Sequence, residues 1–198
     1  MNRPADAHFE IIDPILQRWS PRAFSDRSVA PEAIQQLLEA ARWAPSCFNE
    51  QPWRFLIATK DEPKEFERML ACLVEGNQVW AKSAPVLMLT FASTKFSRNG
   101  HKNRHAWHDV GLAIGQMGIQ ATTMGLSMHQ MAGIQGSKIG EVYRIPGDFE
   151  PVTAIALGYL GAPNTLPDHL LEMERGPRRR NLQSEFAFSG NWQEPFKP

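Results

Sequence analysis

The sequence lacks the features that define several large protein classes. Only two cysteines are present, Cys47 and Cys72, so we expect reduced thiols and no disulfide framework. No segment is apolar over the length that a bilayer requires, and the N-terminus has no apolar stretch typical of a signal peptide. The 21 basic and 21 acidic residues cancel, whereas nucleic-acid binders have a basic excess. We therefore expect a soluble, cytoplasmic protein that binds neither nucleic acid nor a membrane.

Common chemical motifs are also missing. The chain has no GxGxxG, no Walker-type GxxxxGK, no HExxH and no CxxC, which argues against a Rossmann nicotinamide site, a triphosphate site and a zinc protease. Three histidines have helical spacing (His101, His105 and His108), but no cysteine or carboxylate cluster accompanies them, so we expect no metal site. No side-chain dyad for acid–base or nucleophilic catalysis is evident, and we expect no catalytic side chain of that kind.

The 198 residues, of which 42% are hydrophobic, predict one compact domain over residues 1–198. Apolar runs bounded by turn signals predict strands over 53–58, 84–91, 126–131 and 152–157. Helical spacing predicts helices over 13–18, from Pro31 to the break at Ala44-Pro45-Ser46, and over 62–74, 106–124 and 137–143. From Gly161 onward the chain is proline-rich and ends in an aromatic tail. Helices between strands indicate an α+β or α/β fold, although the strand order is not specified.

The predicted helix 106–124 contains an unusual run of glycines, Gly111, Gly115 and Gly118. Each interior glycine costs about 1 kcal/mol relative to alanine, so such a run persists where another backbone comes close. Two explanations remain open. The glycines allow tight helix packing inside the chain, or they allow two helices to cross at a subunit interface, which we favour.

Three separated groups of polar residues are the strongest candidates for a binding site. The first is Arg18–Phe24 (RWSPRAF), where the end of a helix brings two guanidinium groups and a hydroxyl together. The second is Pro45–Phe55 (PSCFNEQPWRF), a polar loop whose amides suit the edge of a heterocycle. The third is the basic group Gly176–Arg180, which taken alone also fits a solvated charge run. Arginine is the natural partner of phosphate because its planar fork of donors matches the oxygens.

Together these groups resemble the motifs of the nitroreductase superfamily of FMN enzymes. The first matches the pattern R-x-S-x-R-x-F, the second matches P-S-[SC]-x-N-x-Q-P-W-x-F, and the third provides a basic pair near the C-terminus. The resemblance covers residues 8–182. It implies an α+β fold, namely a three-layer sandwich with a central, mostly antiparallel sheet flanked by helices. It also implies an intertwined homodimer, in which the tail 181–198 wraps around the partner.

The resemblance further implies which residues bind FMN. Its 5′-phosphate is expected to contact Arg18, Arg178 and Arg180, with Ser20 on the phosphate or ribityl side. Trp19, between them in the first motif, occupies a position that is often basic or histidine in the family. The pyrimidine end of the flavin ring is expected to face Arg22 and Asn77. A cation there favours the acceptance of hydride, because reduction leaves negative charge at that end.

Two further segments complete the implied site. Pro45, Ser46, Cys47 and Asn49 are expected to reach the flavin of the partner subunit, and Gln51 to support their loop. The stretch Met131, Ala132 and Gly133 lies where the family has backbone N–H groups against flavin N5 and O4, and Ala132 and Gly133 take that role. Cys47 replaces a common serine, and we expect a small packed residue there in preference to a redox-active thiol.

The implied activity is the two-electron reduction of quinones, nitroaromatics or activated alkenes at FMN, with NADH or NADPH as co-substrate in a ping-pong cycle. Two alternatives remain open. One is a flavin-binding protein for storage or regulation without turnover. The other is a dehalogenase or flavin-fragmenting enzyme of the same superfamily, although dehalogenase lids contain acidic and tyrosine groups.

The stretch 92–108 is basic and free of acids before Asp109, and its cations are Lys95, Arg98, Lys102 and Arg104. This composition argues against a dehalogenase lid. The stretch is either a solvated, mobile connection or a basic lid that attracts the phosphates of NAD(P)H or an anionic substrate. The lid hypothesis predicts a preference for NADPH over NADH.

Overall fold

The computed structural model describes residues 3–197. At its centre is one sheet of four antiparallel strands in the order β1-β2-β4-β3. The strands are β1 (Trp53–Thr59), β2 (Val86–Ser93), β3 (Ser127–Met131) and β4 (Phe149–Gly158). Each corresponds to a predicted strand, although β4 begins three residues earlier than expected. The antiparallel sheet that the resemblance implies is therefore confirmed.

Seven α-helices cover the two faces of the sheet within the described residues. They are α1 (Asp13–Gln17), α2 (Pro31–Arg42), α3 (Pro63–Leu70), α4 (Glu75–Ala81), α5 (Ala106–Thr123), α6 (Gly136–Tyr143) and α7 (Asp168–Arg175). Helices α2 and α5 form a core with one face, while α3, α4, α6 and α7 form a second core with the other. These three layers confirm the predicted α+β sandwich.

Strand β2 runs through the middle of the sheet and is buried from Val86 to Ala92. Leu87 and Leu89 belong to the core on the α3 side, whereas Val86 and Met88 belong to the core on the α5 side. A strand that is covered on both faces has a continuous apolar sequence without polar alternation. This explains why the run 84–91 was the clearest strand signal in the sequence.

The predicted helix 62–74 is confirmed as α3, but it ends at Leu70, four residues earlier than expected, and α4, which begins at Glu75, was not predicted. Residues between the two helices pair instead with the segment that follows β3. Leu73 forms a β-bridge with Ile134, Val74 N–H donates to the Gly133 carbonyl over 3.0 Å, and Gln135 N–H donates to the Cys72 carbonyl over 2.8 Å. These long-range hydrogen bonds replace helical ones, and they bring α4 next to the end of β3.

Helix α7 is absent from the sequence-based prediction. Pro167 precedes it, and the prolines around the segment are typical of irregular structure. Its inward face buries Leu170 and the carboxylate of Glu174. A buried acid has no hydrophobic periodicity, so the usual helix signal was weak at this position.

The glycines of α5 do not serve helix packing within the chain. A side chain built at Gly111 or Gly115 would meet nothing within 4 Å, and one at Gly118 would meet only the Arg18 side chain at 3.9 Å. The explanation by intrachain packing is therefore wrong for Gly111 and Gly115. They line an open apolar groove together with Ala40, Trp43, Leu112 and Ile119. No helix among residues 3–197 is both long and apolar enough to cross a membrane.

The C-terminal tail has local structure of its own. Phe188 and Pro195 form an isolated β-bridge, and the Ser189 N–H donates to the Glu194 carbonyl over 3.0 Å. The resulting hairpin exposes Trp192 to 82% and Phe196 to 58%. Pro198, the last residue assigned to the tail, lies outside the described residues, as do positions 1 and 2 of the predicted domain.

Candidate functional site

A cavity of about 180 Å³ forms where the end of α1 meets the end of α7. Helix α1 stops at Gln17 because Arg18 has extended backbone angles and Pro21 follows shortly after. Helix α7 stops at Arg175, and Gly176 and Pro177 lead the chain back across α1. The lining residues are Arg3, Arg18, Trp19, Ser20, Arg22, Met173, Glu174, Gly176, Pro177, Arg178 and Arg180. We call this the arginine cavity.

The structure thus brings the first and third sequence groups together, although they lie more than 150 residues apart. Five arginines line the cavity, with Glu174 as the only carboxylate among its lining residues. Burial, and then the charge of Arg180, lower the pKa of Arg18. Burial, followed by the charges of Arg18, Arg180 and Arg3, lowers the pKa of Arg178. Like charges that disfavour one another in this way make a site that favours a bound anion.

Arg178 and Arg3 join the two chain termini at this cavity. The Arg178 guanidinium donates to the backbone carbonyls of Arg3 and Arg18, the latter over 2.7 Å. In return, the Arg3 guanidinium donates to the carbonyls of Glu174 and Gly176. Sequence reasoning missed Arg3, because a lone arginine near the N-terminus carries no motif. Only its return to the end of α7 reveals that it belongs to the site.

Glu174 is the second residue that sequence reasoning missed. Its carboxylate is 1% exposed and accepts hydrogen bonds from the Arg22 N–H at 2.9 Å and the Ala23 N–H at 3.2 Å. The Arg22 guanidinium lies 3.8 Å from the same carboxylate. Glu174 therefore orients the Arg22 backbone and neutralises part of the Arg22 charge, while the other arginines of the cavity stay uncompensated.

His129 connects the first motif to the sheet. Its Nδ1–H donates to the Pro21 carbonyl over 2.9 Å, and its ring packs on Trp80 at 4.5 Å between centroids, with the ring planes tilted by 39°. Burial lowers the pKa of His129 to about 4, aided by the nearby charge of Arg22. The imidazole is therefore neutral at pH 7. Trp80 is a core residue, only 3% exposed.

Strand β3 continues from His129 to Met131, and the chain then turns at Ala132 and Gly133. Asn77 of α4 fixes this turn, because its side-chain amide donates to the Gly133 carbonyl over 3.1 Å. A Cβ at Gly133 would lie 2.6 Å from both Asn77 Nδ2 and Val74 Cγ2, so only glycine fits there. The N–H groups of Ala132 and Gly133 have no backbone partner outside their strand among residues 3–197. We call the turn at Met131, Ala132 and Gly133 the shelf. Within the described part of the chain it has two backbone N–H groups without a backbone acceptor outside their strand, and it follows His129, which contacts the first motif at Pro21.

The second motif forms a tight loop, residues 45–51, with unusual backbone angles. Phe48, Asn49 and Gln51 have positive φ values of 54°, 56° and 51°. The loop is tied down at Cys47, whose N–H donates to the buried Asp109 carboxylate over 2.9 Å, and at Gln51, whose N–H donates to Ser46 Oγ over 3.0 Å. The role of Asp109 in the structure is to anchor this loop.

Within one chain, the loop and the arginine cavity lie at opposite ends of α5. The loop is held at Asp109 in the first turn, whereas Arg18 contacts Gly118 near the other end. These two positions are nine residues apart on α5, which corresponds to a rise of about 14 Å. A single chain therefore has two partial sites, with the open glycine groove between them. Pro45, Ser46, Cys47, Asn49 and Gln51 do not join the residues of the arginine cavity.

The structure gives no support to a metal centre in the part of the chain that it describes. No group of three or more histidine, cysteine, aspartate or glutamate side chains lies close enough together in residues 3–197 to hold a metal ion. His108 Nδ1 lies 3.0 Å from Asp109 Oδ1, but no third ligand accompanies this pair.

The chain is similar to known flavoproteins over most of its length. The model of the nitroreductase family matches residues 15–159, which include the first two motifs. A solved structure described as an oxidoreductase containing FMN is 34% identical, with a TM-score of 0.90 over 96% of both chains. A putative nitroreductase in complex with FMN from Desulfovibrio desulfuricans is 26% identical, with a TM-score of 0.69 over 90% of this chain and 95% of that one.

A relative named as a flavin reductase has a related sequence. The FMN reductase (NAD(P)H) of Bacillus subtilis strain 168 is 25% identical over 167 residues, which cover 76% of this chain and 66% of the reductase. The chain thus spans just under two thirds of that protein. The third motif, Gly176–Arg180, lies beyond the region that matches the family model, so its role depends on the geometry of the arginine cavity.

Proposed function

Since the chain belongs to the nitroreductase family, we propose that it is an NAD(P)H-dependent FMN oxidoreductase that reduces quinones, nitroaromatics or activated alkenes. The relatives named above support the enzyme class and the cofactor. The choice of acceptor is our inference from the resemblance. We also propose a cytoplasmic location, because both cysteines are free and reduced thiols persist in the cytosol.

The arginine cavity fits the phosphate of FMN. Arg18, Arg178 and Arg180 line the same cavity, and none of them forms a salt bridge with a carboxylate within residues 3–197. Burial, and then the repulsion between these cations, lowers the pKa of Arg18 and of Arg178. A dianionic phosphate would relieve this repulsion and accept several charge-assisted hydrogen bonds. Ser20 would add a hydroxyl donor on the same side, and Trp19, which lies under the Arg3 guanidinium, would help to close the cavity.

The shelf at Met131, Ala132 and Gly133 fits the flavin ring. FMN, when bound, supplies the redox chemistry, because it takes a hydride from NAD(P)H and passes two electrons to the acceptor. Arg22 would place a positive charge beside the pyrimidine end of the ring. Ala132 and Gly133 would offer backbone N–H donors, held in place by the amide of Asn77. The chain would thus position and polarise the cofactor without a side-chain acid or base.

We propose that a second copy of the chain completes the site. Two α5 helices that cross antiparallel about a two-fold axis, through the open glycine groove, bring the first turn of one helix towards the last turn of the other. The loop at residues 45–51 of one copy would then lie near the arginine cavity of its partner. Pro45, Ser46, Cys47 and Asn49 would line the partner's flavin, and Gln51 would brace the loop.

The C-terminal hairpin supports the same arrangement. Its aromatic side chains are folded into a local structure but contact little else in their own chain, as the exposure of Trp192 and Phe196 shows. Exposed aromatic groups of this size typically become buried at an interface. We propose that the tail 181–198 packs on the partner subunit and stabilises the dimer within a single-domain protein.

The convergence of five arginines on one small cavity is the observation that supports this function most strongly. To test it, the purified protein would be reconstituted with FMN and assayed for NADH and NADPH oxidation with menadione and with 4-nitrobenzamide. We expect one non-covalent FMN per chain and turnover with at least one donor and acceptor. Absence of flavin absorbance after reconstitution would refute the cavity assignment. Bound FMN without turnover would instead favour a storage or regulatory protein.

A further inference from the structure

The basic stretch contains a hairpin with its own backbone hydrogen bonds. Lys95 and Lys102 form an antiparallel bridge, the Phe96 N–H donates to the His101 carbonyl over 2.8 Å, and the Asn103 N–H donates to the Thr94 carbonyl over 2.7 Å. We call residues 94–103 the basic hairpin. Its base is attached to the start of β4 by the Thr94 N–H, which donates to the Asp148 carbonyl over 2.8 Å.

The basic hairpin also packs on the loop at residues 45–51. The Ser97 N–H donates to Glu50 Oε1 over 2.6 Å, and the rings of Phe96 and Phe48 meet edge to face at 5.9 Å between centroids. Phe48 projects outward with its left-handed backbone, and 70% of it is exposed. The hairpin therefore covers the outer side of the same loop that, in the proposed dimer, borders the partner's flavin.

The cations of the hairpin are not equivalent. Lys95 forms an ion pair with Asp148 at 2.5 Å, so its charge is partly compensated within the chain. The guanidinium of Arg98 lies 3.9 Å from the centroid of Phe48 and 5.4 Å from that of Phe96. Within residues 3–197, no carboxylate oxygen lies within 4.0 Å of the Arg98 guanidinium nitrogens. Arg98 is thus held in position by stacking, with its charge uncompensated.

Stacking occupies the face of a guanidinium but leaves its edge free, and the N–H donors lie along that edge in a fork that matches two oxygens. We propose that Arg98, stacked on Phe48, is a specificity-determining residue that binds an oxyanion group of a substrate at the FMN site. The proposal rests on the proposed function, since it needs the loop to border a flavin. In a ping-pong cycle the electron donor and the acceptor occupy that face in turn. The oxyanion is therefore either a phosphate of the nucleotide or a carboxylate of the acceptor.

Two matched pairs of substrates distinguish these sources. NADPH and NADH differ by the 2′-phosphate, and 4-nitrobenzoate and 4-nitrobenzamide differ by the carboxylate charge. The quantity to measure is the ratio of kcat/KM within each pair, for the FMN-loaded parent and for Arg98→Gln. Hydrogen bonds to charged groups correspond to about a tenfold to hundredfold change in affinity. We expect one of the two ratios to fall by that factor, and the pair affected identifies the oxyanion.

Two further variants separate a specific contact from diffuse attraction. Arg104→Gln removes an equal charge just beyond the hairpin at an exposed position without a stacking partner, and should change either ratio less than twofold. Arg98→Lys keeps the charge but loses the planar fork, and should give an intermediate ratio.

The proposal would be overturned if the kcat/KM ratios fall equally in Arg98→Gln and Arg104→Gln, or if they are unchanged in Arg98→Gln. If the ratios give either of these two results while the parent still turns over 4-nitrobenzamide, the proposed function stands and only this inference fails. A parent that oxidises neither nucleotide would refute the proposed function, and this inference with it.

Discussion

Substitution of Arg18 by glutamine removes one charge from the arginine cavity and keeps the side chain as far as its δ-carbon. In the structure, burial and the charge of Arg180 lower the pKa of Arg18, so the cavity without an anion disfavours this cation. We therefore expect effects of opposite sign with and without FMN. The cofactor-free variant should be at least as stable as the parent, whereas the variant should bind FMN more weakly.

The size of the loss follows from the charged hydrogen bonds that Arg18 would make to phosphate. Such bonds contribute about 1.5–3 kcal/mol each, which corresponds to a Kd about tenfold to a hundredfold higher. FMN at a thousand times its Kd stabilises a protein by about 4 kcal/mol, and each tenfold loss of affinity removes about 1.4 kcal/mol of that. Unfolding free energies measured with and without FMN, together with titrations of flavin fluorescence, give both quantities.

Riboflavin and a neighbouring arginine are the controls for this experiment. Riboflavin lacks the phosphate, so its affinity should be the same for the parent and for Arg18→Gln. Arg179 lies between two arginines of the cavity but does not line it, so Arg179→Gln should bind FMN within about twofold of the parent, a change of less than 0.5 kcal/mol. The reasoning is refuted if Arg18→Gln keeps the parent's affinity for FMN, or if it loses FMN and riboflavin equally.

Three further predictions concern His129, the glycine groove and Arg3. The folded-state pKa of His129, about 4, lies below the unfolded value of 6.5, so the unfolded state binds the proton first. The free energy of unfolding should then fall by about 3 kcal/mol as the pH drops from 6.5 to 4. Urea titrations should show this slope reduced in His129→Gln, and an equal slope in both proteins would contradict the assignment. Gly115→Ala should weaken the dimer in sedimentation experiments although alanine favours a helix by about 1 kcal/mol; Gly140→Ala in α6, which also meets nothing within 4 Å, is its control. A more stable dimer in Gly115→Ala would argue against the interface. Arg3→Gln should raise the Kd for FMN because Arg3 holds the carbonyls of Glu174 and Gly176, and a Kd equal to that of the parent would show that this contact is dispensable.

Much of the architecture was readable from the sequence, because the signals involved are local. Apolar runs such as 84–91 correspond to strands buried on both faces, and the spacing of Ile34, Leu37 and Ala41 follows the buried side of α2. The motif Arg18–Phe24 was recognisable for the same reason, since its residues act within one short segment. Prediction failed where long-range contacts override local preference. The predicted helix 62–74 ends at Leu70, because residues 72–74 pair with residues 133–135, more than 50 positions away.

The composition of the arginine cavity required the tertiary structure. Arg3 and Glu174 have no motif, and they enter the site only because the N-terminal segment crosses the end of α7. The pairing of Lys95 with Asp148 is likewise invisible in a stretch that contains no acid. Two charged side chains pair when the fold brings them within a few ångströms of each other. Such pairs do not recur at a regular spacing in the sequence, so no sequence pattern predicts them.

The glycines of α5 show most clearly which questions the sequence answers and which need the tertiary structure. Their presence in a helix interior, at a cost of about 1 kcal/mol each, already indicated that another backbone must come close. The sequence could not distinguish a neighbour within the chain from a second copy, since both need the same absence of side chains. The fold removes the neighbour within the chain as an explanation for Gly111 and Gly115, because both face an open groove. Sequence thus specified the helices, the strands and the chemistry of the motifs, whereas only tertiary packing decided which charges meet and which surfaces remain open.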